Sequence, residues 1–123
     1  MLIAAFIALG IAVSIGSGLA IQHLRTESAK PPPWPLALLH VIFAIGGLSC
    51  LVLALRGPVR GLDQGTDSFG IIAAALIVMA ALVGAWMLAA RIAKRRTAGI
   101  LIGIHATLAV GGFVILTAYV FAR

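Results

Sequence analysis

Four apolar runs, each about the length of a membrane span, constrain this chain more than any other feature. The first runs from Leu2 to Gln22 and closes at His23, Leu24 and Arg25. The second runs from Trp34 to Leu55, between Pro31-Pro32-Pro33 and Arg56-Gly57-Pro58. The third, Phe69 to Ala90, ends at Arg91, Lys94, Arg95 and Arg96, and the fourth covers Thr97 to Ala122. Hydrocarbon offers the peptide group no hydrogen-bond partner, so a spanning segment must pair its backbone internally. With connections this short, helices are the form that does so, and consecutive helices become antiparallel neighbours. The expected fold is all-α: a single transmembrane domain, residues 1–123, forming a four-transmembrane-helix bundle.

Composition agrees. Apolar residues make up 63% of the chain and charged residues 10%, against about 45–50% and about 25% in soluble domains. A soluble fold of this size buries too little of its surface to hide that excess. The net charge of +6 does not indicate nucleic-acid binding, because the basic residues flank apolar runs, as they do in membrane proteins. Cys50 is the sole cysteine, which excludes an intrachain disulfide and a cysteine metal cluster. No basic segment precedes the first run, so Met1 to Ala20 is read as a retained helix rather than a secretion signal. Arg25, Lys30, Arg91, Lys94, Arg95 and Arg96 fall on one side; Arg56, Arg60 and Arg123 fall on the other. The positive-inside rule places the larger set in the cytoplasm. Both termini are then expected outside, in a bacterial inner membrane, with Trp34 and Trp86 near the cytoplasmic interface.

The second and fourth runs repeat each other. Leu39-His40 is followed after five residues by Gly46-Gly47-Leu48, and Ile104-His105 after five residues by Gly111-Gly112-Phe113, at an offset of 65. The first and third runs echo more weakly: Gly18 and Arg25 pair with Gly84 and Arg91 at an offset of 66. The chain therefore reads as two tandem helical hairpins, residues 1–58 and 66–123. Tandem hairpins share one orientation, related by a pseudo-twofold axis along the membrane normal.

His40 and His105 are the ionisable groups expected deep inside helices, and such residues mark function more often than not. The repeat gives them equal depth on parallel helices, with Ala44 and Gly47, and Ala109 and Gly112, on their own faces. Gly18 and Gly84 come to a similar depth. Small side chains around two converging imidazoles leave a slot for a flat macrocycle whose iron accepts histidine nitrogen. Arg25 and Arg91, with Lys94, Arg95 and Arg96, lie on the side where propionates need partners. On these histidines and glycines the sequence resembles the four-helix membrane cytochromes b. Their commonest pattern has two histidines on each ligand helix; this chain has one pair, so the resemblance implies one haem b, with His40 and His105 on its iron.

The function expected from this reading is single-electron transfer near the cytoplasmic side, in exchange with a quinone or a membrane redox partner. The competing readings are a non-catalytic subunit scaffolding a larger membrane complex, in which the small residues serve helix packing alone, and a small transporter or channel. The acids Glu27, Asp63 and Asp67 all lie in loops, which argues against a proton-coupled transporter, since these keep a carboxylate in the membrane. No phosphate loop, nucleophile elbow or carboxylate pair supports hydrolytic chemistry. Ser14, Ser17, Ser49, Thr107 and Thr117 are expected to bond their own helix carbonyls, and Tyr119 to lie in an interfacial belt.

Overall fold

The computed structural model describes residues 1–25 and 32–122. The loop residues Thr26 to Lys30, with Pro31 and Arg123, lie outside the described residues, so Glu27, Lys30 and Arg123 enter the charge reading from sequence alone. The described chain contains four α-helices: α1 (Leu2–Arg25), α2 (Trp34–Ala54), α3 (Phe69–Ile92) and α4 (Gly99–Phe121). At 1.5 Å per residue they are about 32–36 Å long, enough to cross about 30 Å of hydrocarbon. By length and apolarity all four are membrane spans, and the chain is an integral membrane protein. Ile3, Ile7, Ile42, Ile45, Ile71, Leu82 and Val114 are all exposed, an arrangement suited to lipid and unsuited to water.

Two compact units divide the chain, Met1–Val59 and Arg60–Arg123. The first packs α1 against α2 and the second packs α3 against α4. Within each, the core is a narrow seam. In the first, Ala5, Leu9 and Ala12 of α1 are buried with Gly47 and Leu51 of α2. In the second, Ala73, Ile77 and Ala80 of α3 are buried with Gly112 and Leu116 of α4. The α2 and α4 members differ by 65 positions, as the histidine spacing implies. The α1 and α3 members differ by 68, not 66. Packing sets this register: the pairs are Ala5 with Ala73, Leu9 with Ile77, and Ala12 with Ala80.

Close approach explains the buried glycines. A Cβ on Gly47 would lie 2.7 Å from Cγ of Leu9, and one on Gly112 would lie 2.8 Å from Cγ1 of Ile77. The adjacent Gly46 and Gly111 face open space. Each Gly-Gly pair thus carries one packing glycine and one that packs against nothing in its own unit.

The helix ends differ from expectation by a few residues. α1 continues to Arg25, with His23 and Arg25 in its last turn, where cations suit the helix dipole. α4 begins at Gly99 rather than Thr97 because the preceding residues finish α3. Arg95 N–H bonds Ala90 O at 2.8 Å and Lys94 N–H bonds Arg91 O at 3.0 Å. Lys94 adopts the left-handed region, φ 56°. This is a Schellman ending with lysine in the place glycine usually takes. At the far end of this unit, Arg60 Nη2 donates to the carbonyl oxygens of Ala122 at 3.2 Å and Val120 at 3.5 Å, groups that the end of α4 leaves without helical partners. Tyr119 is buried in the second unit, as are Leu116 and Val120 of the same helix, and is not an exposed belt residue.

Gly47→Ala and Gly112→Ala are each expected to lower the stability of the protein in detergent or bicelles by about 1–3 kcal/mol, the usual range for overpacking. Gly46→Ala and Gly111→Ala are expected to be neutral or stabilising. Denaturant titration followed by helicity checks both pairs; equal losses in all four variants would contradict the assignment of the packing glycines.

Candidate functional site

An imidazole at membrane depth must place its N–H on an acceptor, and in an apolar helix pair the acceptors are carbonyl oxygens. His40 projects from the first third of α2 toward α1. Its Nδ1 lies 2.8 Å from the carbonyl oxygen of Ala12. A carbonyl can only accept, so Nδ1 carries the proton and donates. His105 repeats the contact in the second unit: its Nδ1 lies 2.8 Å from the carbonyl oxygen of Ala80. Both histidines are half-buried.

Each contact depends on a glycine. A helix carbonyl at position i is flanked on the surface by the side chain at i+4, which is Gly16 for Ala12 and Gly84 for Ala80. A Cβ on Gly16 would fall 2.9 Å from Cε1 and 3.2 Å from Nδ1 of His40. A Cβ on Gly84 would fall 3.0 Å and 3.3 Å from the same atoms of His105. In both units the imidazole lies over the bare helix backbone and reaches a carbonyl that alanine at that position would crowd. The unit is therefore Ala-x-x-x-Gly on the first helix of a hairpin, receiving a histidine from the second.

This geometry corrects the weaker half of the sequence repeat. Gly16, not Gly18, is the counterpart of Gly84. Gly18 is exposed and has nothing against it. Gly47 and Gly112 lie seven residues beyond the histidines and hold the helix pairs together. Arg25 is exposed and Arg91 half-buried at the ends of α1 and α3. Ala12, Ala80 and Gly16 escaped the sequence reading. Aligning α1 with α3 at an offset of 68, which matches Ala5, Ala12 and Gly16 with Ala73, Ala80 and Gly84, reveals all three.

The tautomer has a chemical consequence. With the proton on Nδ1, the lone pair of a neutral imidazole resides on Nε2, the nitrogen that then accepts a proton or ligates a metal. A carbonyl acceptor on the other nitrogen orients the ring and raises its basicity as a ligand. The hydroxyls of Ser14 and Thr117 bond within their own helices rather than across a helix pair: Ser14 Oγ donates to Gly10 O and Thr117 Oγ1 to Phe113 O, both at 2.8 Å. Among the described residues no group of three or more His, Cys, Asp or Glu side chains is gathered for a metal ion. No protein family matches the chain, and neither a characterised protein nor a solved structure is similar to it.

Gly16→Ala and Gly84→Ala are expected to displace the imidazole of the same unit and lower stability, while Gly18→Ala leaves both unchanged. Comparison of thermal unfolding with the histidine side-chain NMR signals checks this. An undisturbed His40 signal in Gly16→Ala would refute the role given to the glycine.

Proposed function

We propose that the chain is a small membrane b-type cytochrome in which His40 and His105 ligate one haem b through Nε2. The observation that supports this reading is the duplicated Nδ1–H donation to a helix carbonyl, which puts the ring lone pair on Nε2, the nitrogen that would ligate the iron. The two hairpins are read as copies of one unit, related by a pseudo-twofold axis along the membrane normal, with both termini outside a bacterial inner membrane. The donor set fits haem iron, which takes neutral histidine as an axial ligand. When bound, haem b would supply reversible one-electron chemistry. The residues of the chain have separate tasks in this reading. Ala12 and Ala80 orient the imidazoles, Gly16 and Gly84 admit them, and Gly47 and Gly112 fix the helix pairs that carry them. Arg25 and Arg91, at the cytoplasmic ends of α1 and α3, are the proposed partners of the propionates. A quinone or a membrane redox protein on that side would exchange the electron.

A second reading is favoured by the same bonds. Each histidine bonds within its own hairpin, as a polar clasp between two helices does. The chain would then be a non-catalytic subunit of a larger membrane complex. Absorption spectroscopy separates the two. Protein purified from haem-supplied cells is expected to show a six-coordinate Soret band. Either His40→Ala or His105→Ala is expected to abolish or severely weaken it, while His23→Ala keeps it. Absence of the band, or its survival in the double variant, would leave the clasp reading in its place.

A further inference from the structure

The turn between α3 and α4 carries Lys94, Arg95 and Arg96 in succession, all exposed. The Schellman ending fixes their position: α3 stops at Ile92, Lys94 takes φ 56°, and Arg95 N–H returns to Ala90. The cations therefore sit on a defined turn at the end of a membrane span. Exposed apolar residues bracket it. Trp86 is 70% exposed, Ile92 66% and Ile100 71%. Indoles prefer the headgroup level, and the two isoleucines would hold the turn against the acyl boundary rather than in bulk water.

No acid of this unit lies at this end of α3. From Ser68 to the C-terminus the sequence contains no acid. Asp63 and Asp67 precede α3, at its opposite end and about 36 Å away along the helix. Counted along the sequence, the side assigned to the cytoplasm carries six basic residues and one acid, Glu27, an excess of five positive charges. A partner bearing phosphate and lying at the membrane boundary meets both requirements, charge and depth.

We propose that Lys94, Arg95 and Arg96, bracketed by exposed Ile92 and Ile100, form a docking surface for the phosphate headgroup of an anionic phospholipid. The surface does not depend on haem binding, and its test reads lipid alone. The full chain with Trp34→Phe, so that Trp86 is the sole indole, is reconstituted with brominated phosphatidylglycerol or brominated phosphatidylcholine. Trp86 lies about 12 Å along the helix from Lys94, within the layer that either lipid would occupy. Phosphatidylglycerol is expected to quench at a lower mole fraction than phosphatidylcholine. Each of Lys94→Gln, Arg95→Gln and Arg96→Gln is expected to reduce that preference by up to about fivefold, and the triple variant to remove it. Salt near 1 M should remove it from the unaltered chain as well, since exposed charges are then screened within about 3 Å; this arm decides the matter should the triple variant fail to fold. Equal quenching by the two lipids, or a preference unchanged by both salt and substitution, would overturn the proposal.

Discussion

A histidine carried into hydrocarbon brings a donor that lipid cannot satisfy. Most of the structure around His40 and His105 follows from where that donor goes. In each hairpin it goes to a carbonyl of the facing helix. A helix carbonyl already accepts one bond from the amide four residues on, yet has a second lone pair. Reaching that lone pair from the side requires that the residue over it have no side chain. Gly16 and Gly84 satisfy this requirement. The histidine, the carbonyl and the glycine are thus one device, and the chain contains it twice.

The device needs two helices held close and in register. Gly47 and Gly112 allow the approach, and the fully buried Leu51 and Leu116, four residues further, fill the seam. Lipid tails are as apolar as leucine, so burial of leucine drives helix association only weakly in a bilayer; close packing of small residues and cross-helix hydrogen bonds supply most of it. The seam has both. Ala5, Ala12, Ala73 and Ala80 keep it narrow, and the histidine bond closes the end away from the buried leucine. The bond that would prepare the ring as a ligand is therefore also one that holds its hairpin together.

Much of this was legible in the sequence, for definite reasons. The four spans are a property of composition over some twenty residues and survive any error of register. His40 with Gly47, and His105 with Gly112, stand out because their spacing is identical within α2 and α4. A match of α1 with α3 anchored on Arg25 and Arg91 gives an offset of 66, two residues away from the packed seam. Charges at helix ends need only reach the boundary and tolerate a shift of two residues, whereas a seam of alanine and glycine tolerates none. Two glycines two residues apart, Gly16 and Gly18, compete for the match, and only the contact with His40 selects between them. Lysine at the left-handed position of the α3 ending carries no sequence signal, since glycine or asparagine is the usual occupant. Arg60 reads as a loop charge in the sequence, and its bonds to the end of α4 depend on a fold that brings residues some sixty positions apart together.

The central claim is that both membrane histidines hold their proton on Nδ1, donated to a carbonyl of the facing helix, and keep the ring lone pair on Nε2. The most direct measurement is the ¹⁵N spectrum of histidine-labelled protein in lipid, with His23→Gln so that only His40 and His105 contribute. Without added haem, both rings are expected to carry the Nδ1 proton in a hydrogen bond, with closely similar signals from the two hairpins. A proton on Nε2 in either ring, or two tautomers in rapid exchange, would contradict it.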